Sequence, residues 1–418
     1  MEPTQSNILT QKLTNWFVFF LAFPSVYVAG NSLTFYLFIA IIYRVGLFWK
    51  SSFTGKLLLS LFLLVLVISN LTAPYSIMPR HPGIGHILTL GIQYVYWILV
   101  AAFFSKYSHR LDLYAIGKYL FWGSICSAIG FYLLPLNLDL IVLQITFKQS
   151  RNSFIFSLLA SVPICFFYLA QKYKGLKLNS FILLFAFLAI ASNGRSGAII
   201  IVIEMLLVGA IVYPKVLTTV KLLLIPMLIF SLLAQSATVD IYLDSLADSI
   251  ESVNPRLANL MRNTEDGDLS FDKSWMIREL MIDKSLEILP EHPFFGVGAG
   301  NFVYYDSELP SKYNYERLTS HSIEYYNSRS AHNSYIQILS DFGLVGFIIF
   351  MMILLRPISV LFIGLVQNRI SLNLLPIIAL LGISIHFYAI AAITGAIPWF
   401  VIGLSLGSMG LIKSKQII

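Results

Sequence analysis

The residue best placed for acid–base chemistry is His332, which stands where a long polar segment meets a long apolar one. A histidine titrates near neutral pH, so it can take a proton from a hydroxyl group and later release it. The simpler interpretation is an interfacial histidine hydrogen-bonded to the backbone, which is the commoner situation for a lone histidine. The sequence around His332 must decide between the two.

Arginines provide a second kind of chemistry, the binding of phosphate groups. Arg195 is flanked by small residues at the edge of an apolar run, and Arg278 lies in an amphipathic stretch at 275–289. A guanidinium stays charged and contacts phosphate through two parallel hydrogen bonds, so both arginines are candidate ligands of a phosphorylated headgroup. The alternatives are a snorkelling anchor for Arg195 and an ion pair with Glu279 or Asp283 for Arg278.

A loop that contains Gly296, Gly298 and Gly300 lies between the candidate residues Arg278 and His332. A dinucleotide fingerprint would need a strand before such glycines and a helix after them. Here a predicted helix precedes the loop and a tyrosine-rich segment follows it, so no nucleotide cofactor is predicted. Tight turning and close backbone approach explain the glycines better.

Metal ligands are not evident in the sequence. His321 and Glu324 form a His-x-x-Glu pair, but no second histidine stands at helical spacing to complete a zinc motif. Cys126 and Cys165 both fall inside apolar runs and are most simply small core residues. We therefore predict no metal site.

The elements that carry these residues are membrane helices. Hydrophobic residues make up 57% of the chain and charged residues 12%, and the mean hydropathy is +0.77, which is far from a soluble domain. Apolar runs long enough to cross a hydrocarbon core recur throughout, so the predicted fold is all-α with about twelve transmembrane helices. They lie near 14–30, 33–49, 56–72, 85–104, 115–134, 153–171, 178–192, 197–213, 217–236, 334–355, 370–392 and 396–412.

One large polar loop divides these helices between spans nine and ten. We predict an N-terminal membrane bundle at 1–236, a partly helical loop domain at 237–333 and C-terminal helices at 334–418. The loop domain holds 16 of the 21 acidic residues and carries a formal charge of −8. The rest of the chain is correspondingly basic, which indicates topology and not a nucleic-acid partner.

Lys and Arg in the short connections set the orientation. If both termini are cytoplasmic, 16 basic residues lie inside, and the short outer loops keep four: Arg80, Lys148, Arg151 and Arg195. The loop domain is therefore predicted to face the periplasm or the cell exterior. The first three outer cations are also candidate substrate-binding residues, although each alone is more typical of a membrane anchor.

The ordered motifs resemble the O-antigen ligases and the related polysaccharide polymerases. The matching residues are Asn193 to Ala198 around Arg195, then Arg278, then Pro293, Gly296, Gly298, Gly300, Asn301 and Phe302, then His332-Asn333 with nine residues before Gly343 and Gly346. Ile282, four residues after Arg278, is a mild departure from the Leu or Trp of the family. The resemblance covers roughly residues 150–350.

The resemblance implies an integral glycosyltransferase of the bacterial inner membrane, active on its periplasmic face in lipopolysaccharide biosynthesis. The donor would be a polysaccharide on undecaprenyl diphosphate and the acceptor a sugar hydroxyl of lipid A–core. His332 would act as general base while Arg195 and Arg278 hold the departing diphosphate, so that neither a metal nor a cofactor is expected. Asn333, Gly298 and Gly300 are further candidate substrate-binding residues.

Two alternatives stay open. A polymerase would join repeat units between two lipid carriers with the same motifs. A transporter of a lipid-linked saccharide would explain the spans, but neither the single large loop nor the motif around His332.

The predicted topology is testable by thiol labelling. Cysteines introduced at Ser307 or Ser328 should react with a membrane-impermeant reagent in intact spheroplasts, because both belong to the outer loop domain. Cysteines introduced at Lys106 or Lys174 should not react. The reverse pattern would overturn the orientation and the location of all the proposed chemistry.

Overall fold

The computed structural model describes most of the membrane bundle and part of the loop domain. The described residues are 5–23, 25–28, 31–45, 54–78, 82–133, 137–139, 143–146, 151–191, 195–213, 248–249, 251, 273–307, 330–388 and 390–414.

Helices dominate these residues. They are α1 (Gln5–Ala22), α2 (Leu33–Val45), α3 (Thr54–Thr72), α4 (Ile84–Tyr107), α5 (Leu113–Tyr132), α6 (Arg151–Lys172), α7 (Leu176–Ala191), α8 (Arg195–Val212), α9 (Lys273–Glu291), α10 (Ser334–Val366), α11 (Leu375–His386) and α12 (Ala396–Ser414). Single 3₁₀ turns occupy Tyr75–Ile77, Asn301–Val303 and Leu372–Leu374.

The apolar composition of the helices is typical of a membrane protein. Within the described residues, four helical segments are long and apolar enough to cross a membrane: Gly55–Thr72, Ile84–Tyr107, Ser153–Lys172 and Ser334–Val366. Five shorter apolar helices accompany them. Every predicted span except 217–236 overlaps a helix, and 217–236 lies outside the described residues. The number of spans and the domain boundaries stay predictions.

Besides the helices, the described residues contain a small sheet. β1 (Ser25–Val28), β2 (Asn31–Ser32), β3 (Asn137–Asp139) and β4 (Leu143–Thr146) form an antiparallel sheet in the order β2-β1-β4-β3. It joins the α1–α2 connection to the α5–α6 connection. The first predicted span, 14–30, is correspondingly wrong at its end, because the chain leaves the helix at Ala22 and pairs as a strand. Strands this short carry too little alternation to be recognised in a sequence.

α6 is the central helix of the described bundle. Of its apolar window, 89% is buried within the protein, and it packs against α5, α8 and α11. Gly117 of α5 allows a close approach to α6, since a Cβ there would lie 2.9 Å from the backbone oxygen of Ile164 in the second half of that helix.

The long helix α10 is broken at Gly343, whose φ of 64° and ψ of −169° are not helical. A break exposes backbone groups that lipid cannot satisfy, so they must find partners within the protein. The segment Pro293–Phe302, which we call the glycine loop, provides them. Before the break, the amides of the loop donate to helix carbonyls: Val297 to Ser340 (2.9 Å) and Gly298 to Asp341 (3.0 Å). After the break, helix amides donate to loop carbonyls: Leu344 to Pro293 (2.8 Å) and Val345 to Phe294 (3.2 Å).

The break should make Gly343 intolerant of any side chain. Its φ and ψ lie in a region almost reserved for glycine, which costs other residues about 1–3 kcal/mol. A Cβ there would also overlap the backbone of Phe294. We expect Gly343→Ala to lower the unfolding temperature of the detergent-solubilised protein measurably.

Gly209→Ala in α8 is the matched control for this variant. No atom lies within 4 Å of a Cβ built at Gly209, and alanine favours a helix over glycine by up to about 1 kcal/mol. Equal unfolding temperatures for the two variants would show that the break does not depend on glycine.

Candidate functional site

A cavity of about 1110 Å³ lies at the end of the bundle where α2, α4 and α6 begin. Helices α4 and α6 form two of its walls, and the segment 390–398 before and into α12 forms a third. Hydroxyl, amide and imidazole groups are set among apolar and aromatic side chains in its lining. The polar residues are Ser32, Thr34, Thr89, Gln93, Ser153, Ser157, Ser330, His332 and Thr394.

His332 lines this cavity and is half-buried, with a left-handed φ of 48° that is uncommon outside glycine. The next residues hold that backbone in place. The amide of Ser334 donates to the carbonyls of Phe387 (2.8 Å) and Ile390 (3.0 Å), which ties the start of α10 to the end of α11. The imidazole therefore sits on a rigid corner at the cavity wall.

Asn333 is the N-cap of α10. Its side-chain oxygen accepts the backbone amides of Tyr335 (2.9 Å) and Ile336 (3.2 Å), and the residue is buried. Such a cap contributes about 1 kcal/mol to helix stability. Asn333 thus stabilises the turn next to His332. Its predicted contact with substrate stays a prediction.

Arg151 and Arg195 occupy equivalent positions as the first residues of α6 and α8. The two helices approach closely near these ends, because a Cβ at Gly197 would overlap the side chain of Ile155. The first turns of two helices therefore lie side by side, and the N-terminus of a helix carries a partial positive charge that favours an anion. Ser153, in the first turn of α6, lines the cavity.

A small second core connects the remaining candidates. It contains Met78, Leu280, Met281, Ile288, Val297, Phe302, Tyr305 and Ala331. Met78 lies two residues before Arg80, Leu280 two residues after Arg278, and Ala331 directly before His332. The cluster thereby brings the backbone near all three predicted residues together, although Arg80 itself and Lys148 lie outside the described residues.

Within the glycine loop, Gly298 and Gly300 both adopt a positive φ, 96° and 70°. The Gly298 amide donates to the backbone carbonyl of Asp341, and the Gly300 amide donates to its carboxylate at 2.9 Å. Phe302 donates to the other carboxylate oxygen at 3.2 Å. Both glycines therefore shape and anchor the loop, and their predicted contacts with substrate stay predictions.

Comparison with known families agrees with the motif order. Residues 180–351 match the family model described as O-antigen ligase. Over this segment the chain is similar to the O-antigen ligases. The match contains Arg195, Arg278, the glycine loop and His332. No curated protein matched the chain.

The family points to a multi-pass membrane protein with glycosyltransferase-like activity on lipid-linked glycans. It covers both ligases and polymerases, so it does not distinguish between their acceptors. Among the described residues, no group of three His, Cys, Asp or Glu side chains is arranged to hold a metal.

Two supporting groups of the site were not identified from the sequence. Asp341 is fully buried in α10, and its carboxylate anchors the glycine loop. Lys284 of α9 is also buried, with its ammonium 4.7 Å from the centre of the Phe302 ring. The sequence shows only that Asp341 is an acid inside an apolar run. Its partners, Gly300 and Phe302, are 41 and 39 residues away in the chain, so the sequence does not identify them.

Tyr305 closes the second core beside the glycine loop. Its hydroxyl donates to the carboxylate of Glu291 at 2.6 Å. Burial, reinforced by that hydrogen bond, raises the pKa of the Tyr305 phenol well above its ordinary value. Tyr305 therefore stays protonated and serves as a hydrogen-bond donor between α9 and the loop.

Proposed function

We propose that this protein is an O-antigen ligase that transfers a polysaccharide from undecaprenyl diphosphate to lipid A–core on the periplasmic face of the inner membrane. The observation that carries the proposal is the position of His332 on a cavity that is also lined by Ser153, in the first turn of α6. The transfer needs a base, a chamber and positive charge for the leaving diphosphate, and we assign the charge to arginines.

In the proposed reaction, the acceptor hydroxyl loses its proton to His332 as its oxygen attacks the anomeric carbon of the donor sugar. The bond between that carbon and the phosphate oxygen breaks, and its electron pair leaves with undecaprenyl diphosphate. One glycosidic bond forms as one glycosyl–phosphate bond is lost, so no oxidant or reductant is needed. Positive charge near the leaving oxygens stabilises the transition state, where that charge develops.

Arg195 and Arg278 provide that charge in the proposal, with Arg80, Lys148 and Arg151 as further ligands of the donor or acceptor. Fixed guanidinium groups would take the place that a divalent metal has in many soluble transferases. We therefore expect transfer to survive EDTA. A strict requirement for an added divalent metal would contradict this part of the proposal and direct attention to Asp306 and Glu324.

Deletion of the gene separates the ligase from the polymerase, which the same motifs would also serve. Lipopolysaccharide of the deletion strain, examined by gel, should lose its whole ladder while lipid-linked polymer accumulates. A core carrying a single repeat unit would instead show that the protein is a polymerase whose acceptor is a second lipid-linked chain.

Variants of the proposed catalytic residues test the mechanism in a reconstituted assay. His332→Ala should reduce the transfer rate by roughly 10²- to 10⁴-fold, the usual contribution of a general base, while lipid-linked donor still binds. Arg195→Ala and Arg278→Ala should each reduce it at least about tenfold, and lysine at either position should recover only part.

His109→Ala and Arg110→Ala are matched controls, because both exposed residues follow α4 at the end of the bundle opposite the cavity. They should transfer at the wild-type rate with normal protein levels. Near-normal transfer by His332→Ala would contradict the proposed mechanism but not the similarity to O-antigen ligases.

A further inference from the structure

Gln93 is an unusual residue for its position in the protein. It lies about midway along the membrane-spanning helix α4, between Ile92 and Tyr94, and its side chain is exposed on the cavity wall. Within the described residues the Gln93 amide makes no hydrogen bond to a neighbour. A polar group in a spanning helix is costly unless it has a partner, so such residues usually mark a substrate path.

Gln93 belongs to a stripe on α4 with the spacing of one helix face. Thr89 lies one turn before it and Trp97 one turn after it, and all three line the cavity. On α6, Ser153 and Ser157 show the same four-residue spacing and line the same cavity. The chamber therefore offers an amide, hydroxyl groups and an indole ring to one occupant.

This combination fits a sugar better than a lipid chain. A side-chain amide has both donor and acceptor groups, which can pair with adjacent hydroxyls of a sugar ring, and an aromatic ring covers its apolar face. An apolar polyprenyl chain in the same place would leave the Gln93 amide buried and unpaired, at a cost of about 1–3 kcal/mol. The volume of about 1110 Å³ is larger than an ordinary small-molecule pocket, so more than a single ring can fit.

We propose that Gln93 is a saccharide-binding residue, and that the Thr89–Gln93–Trp97 stripe of α4 binds the sugar hydroxyls of one transfer substrate beside His332. The inference rests on the proposed function for its substrate class. It extends that function by placing the saccharide on the α4 wall of the cavity. Gln93 would act on substrate affinity and sugar selectivity, not on the chemical step.

Steady-state kinetics of the reconstituted protein test the role of Gln93. Donor and acceptor are varied separately for wild type and Gln93→Ala. Loss of one or two neutral hydrogen bonds should raise KM for one of the two substrates by about 3- to 10-fold, with kcat nearly unchanged. The substrate whose KM rises identifies the source of the bound sugar.

Asn70→Ala is the matched control, because this amide on neighbouring α3 donates to the Leu66 carbonyl at 2.8 Å and does not line the cavity. It should leave both KM values unchanged. Unchanged KM values in Gln93→Ala as well, or an equal fall in kcat in both variants, would refute the proposed role.

Binding can be measured without catalysis in the Gln93→Cys variant. A hydrophilic maleimide should label this variant faster than wild type, whose two free cysteines are half-buried (Cys126) and buried (Cys165). Saturating lipid-linked saccharide should slow the labelling, whereas undecaprenyl phosphate without sugar should not.

Two outcomes of the labelling would overturn the inference: equal protection by the sugar-free lipid, which would place the lipid chain at Gln93, and no protection by either ligand. Saccharide-specific protection of Gln93→Cys, together with a wild-type protein that fails to transfer, would instead refute the proposed ligase reaction and retain the saccharide site.

Discussion

A helix that is interrupted within an apolar segment must satisfy its freed backbone groups inside the protein, and this constraint at Gly343 governs the described part of the site. The glycine loop meets it with four backbone hydrogen bonds across the break in α10. Asp341 adds two more through its carboxylate, and Ser69 of α3 donates to its carbonyl at 2.6 Å. Loop and helix therefore depend on each other, since neither is fully hydrogen-bonded alone.

This mutual dependence positions groups that are far apart in sequence. With the glycine loop fixed on α10, Val297 and Phe302 complete the second core, which holds α9 and the Met78 segment against Ala331. The backbone near the candidate reacting groups is thus placed by folding, before any substrate binds. Preorganisation of this kind favours catalysis, because charges need not be rearranged when the transition state forms.

In the proposal, two kinds of surface contact the substrate: arginines such as Arg195 at the start of α8 contact the diphosphate, whereas the α4 wall of the cavity contributes the uncharged groups of Thr89 and Gln93. A lipid-linked glycan has the same division, with charge at its phosphates and hydroxyls along its sugars. The match between the two patterns is the physical basis of the proposed function.

The sequence by itself determined the helical membrane character and the resemblance to O-antigen ligases, because apolar run length and short ordered motifs are properties of contiguous residues. It could also point to His332, although not to its left-handed backbone. Only the tertiary structure decided that Asn333 caps a helix, that Asp341 anchors the glycine loop, and that Gln93 faces a cavity. These roles depend on partners such as Ser69 and Asp341, 272 positions apart, and no local pattern of residue types records a contact over such a separation.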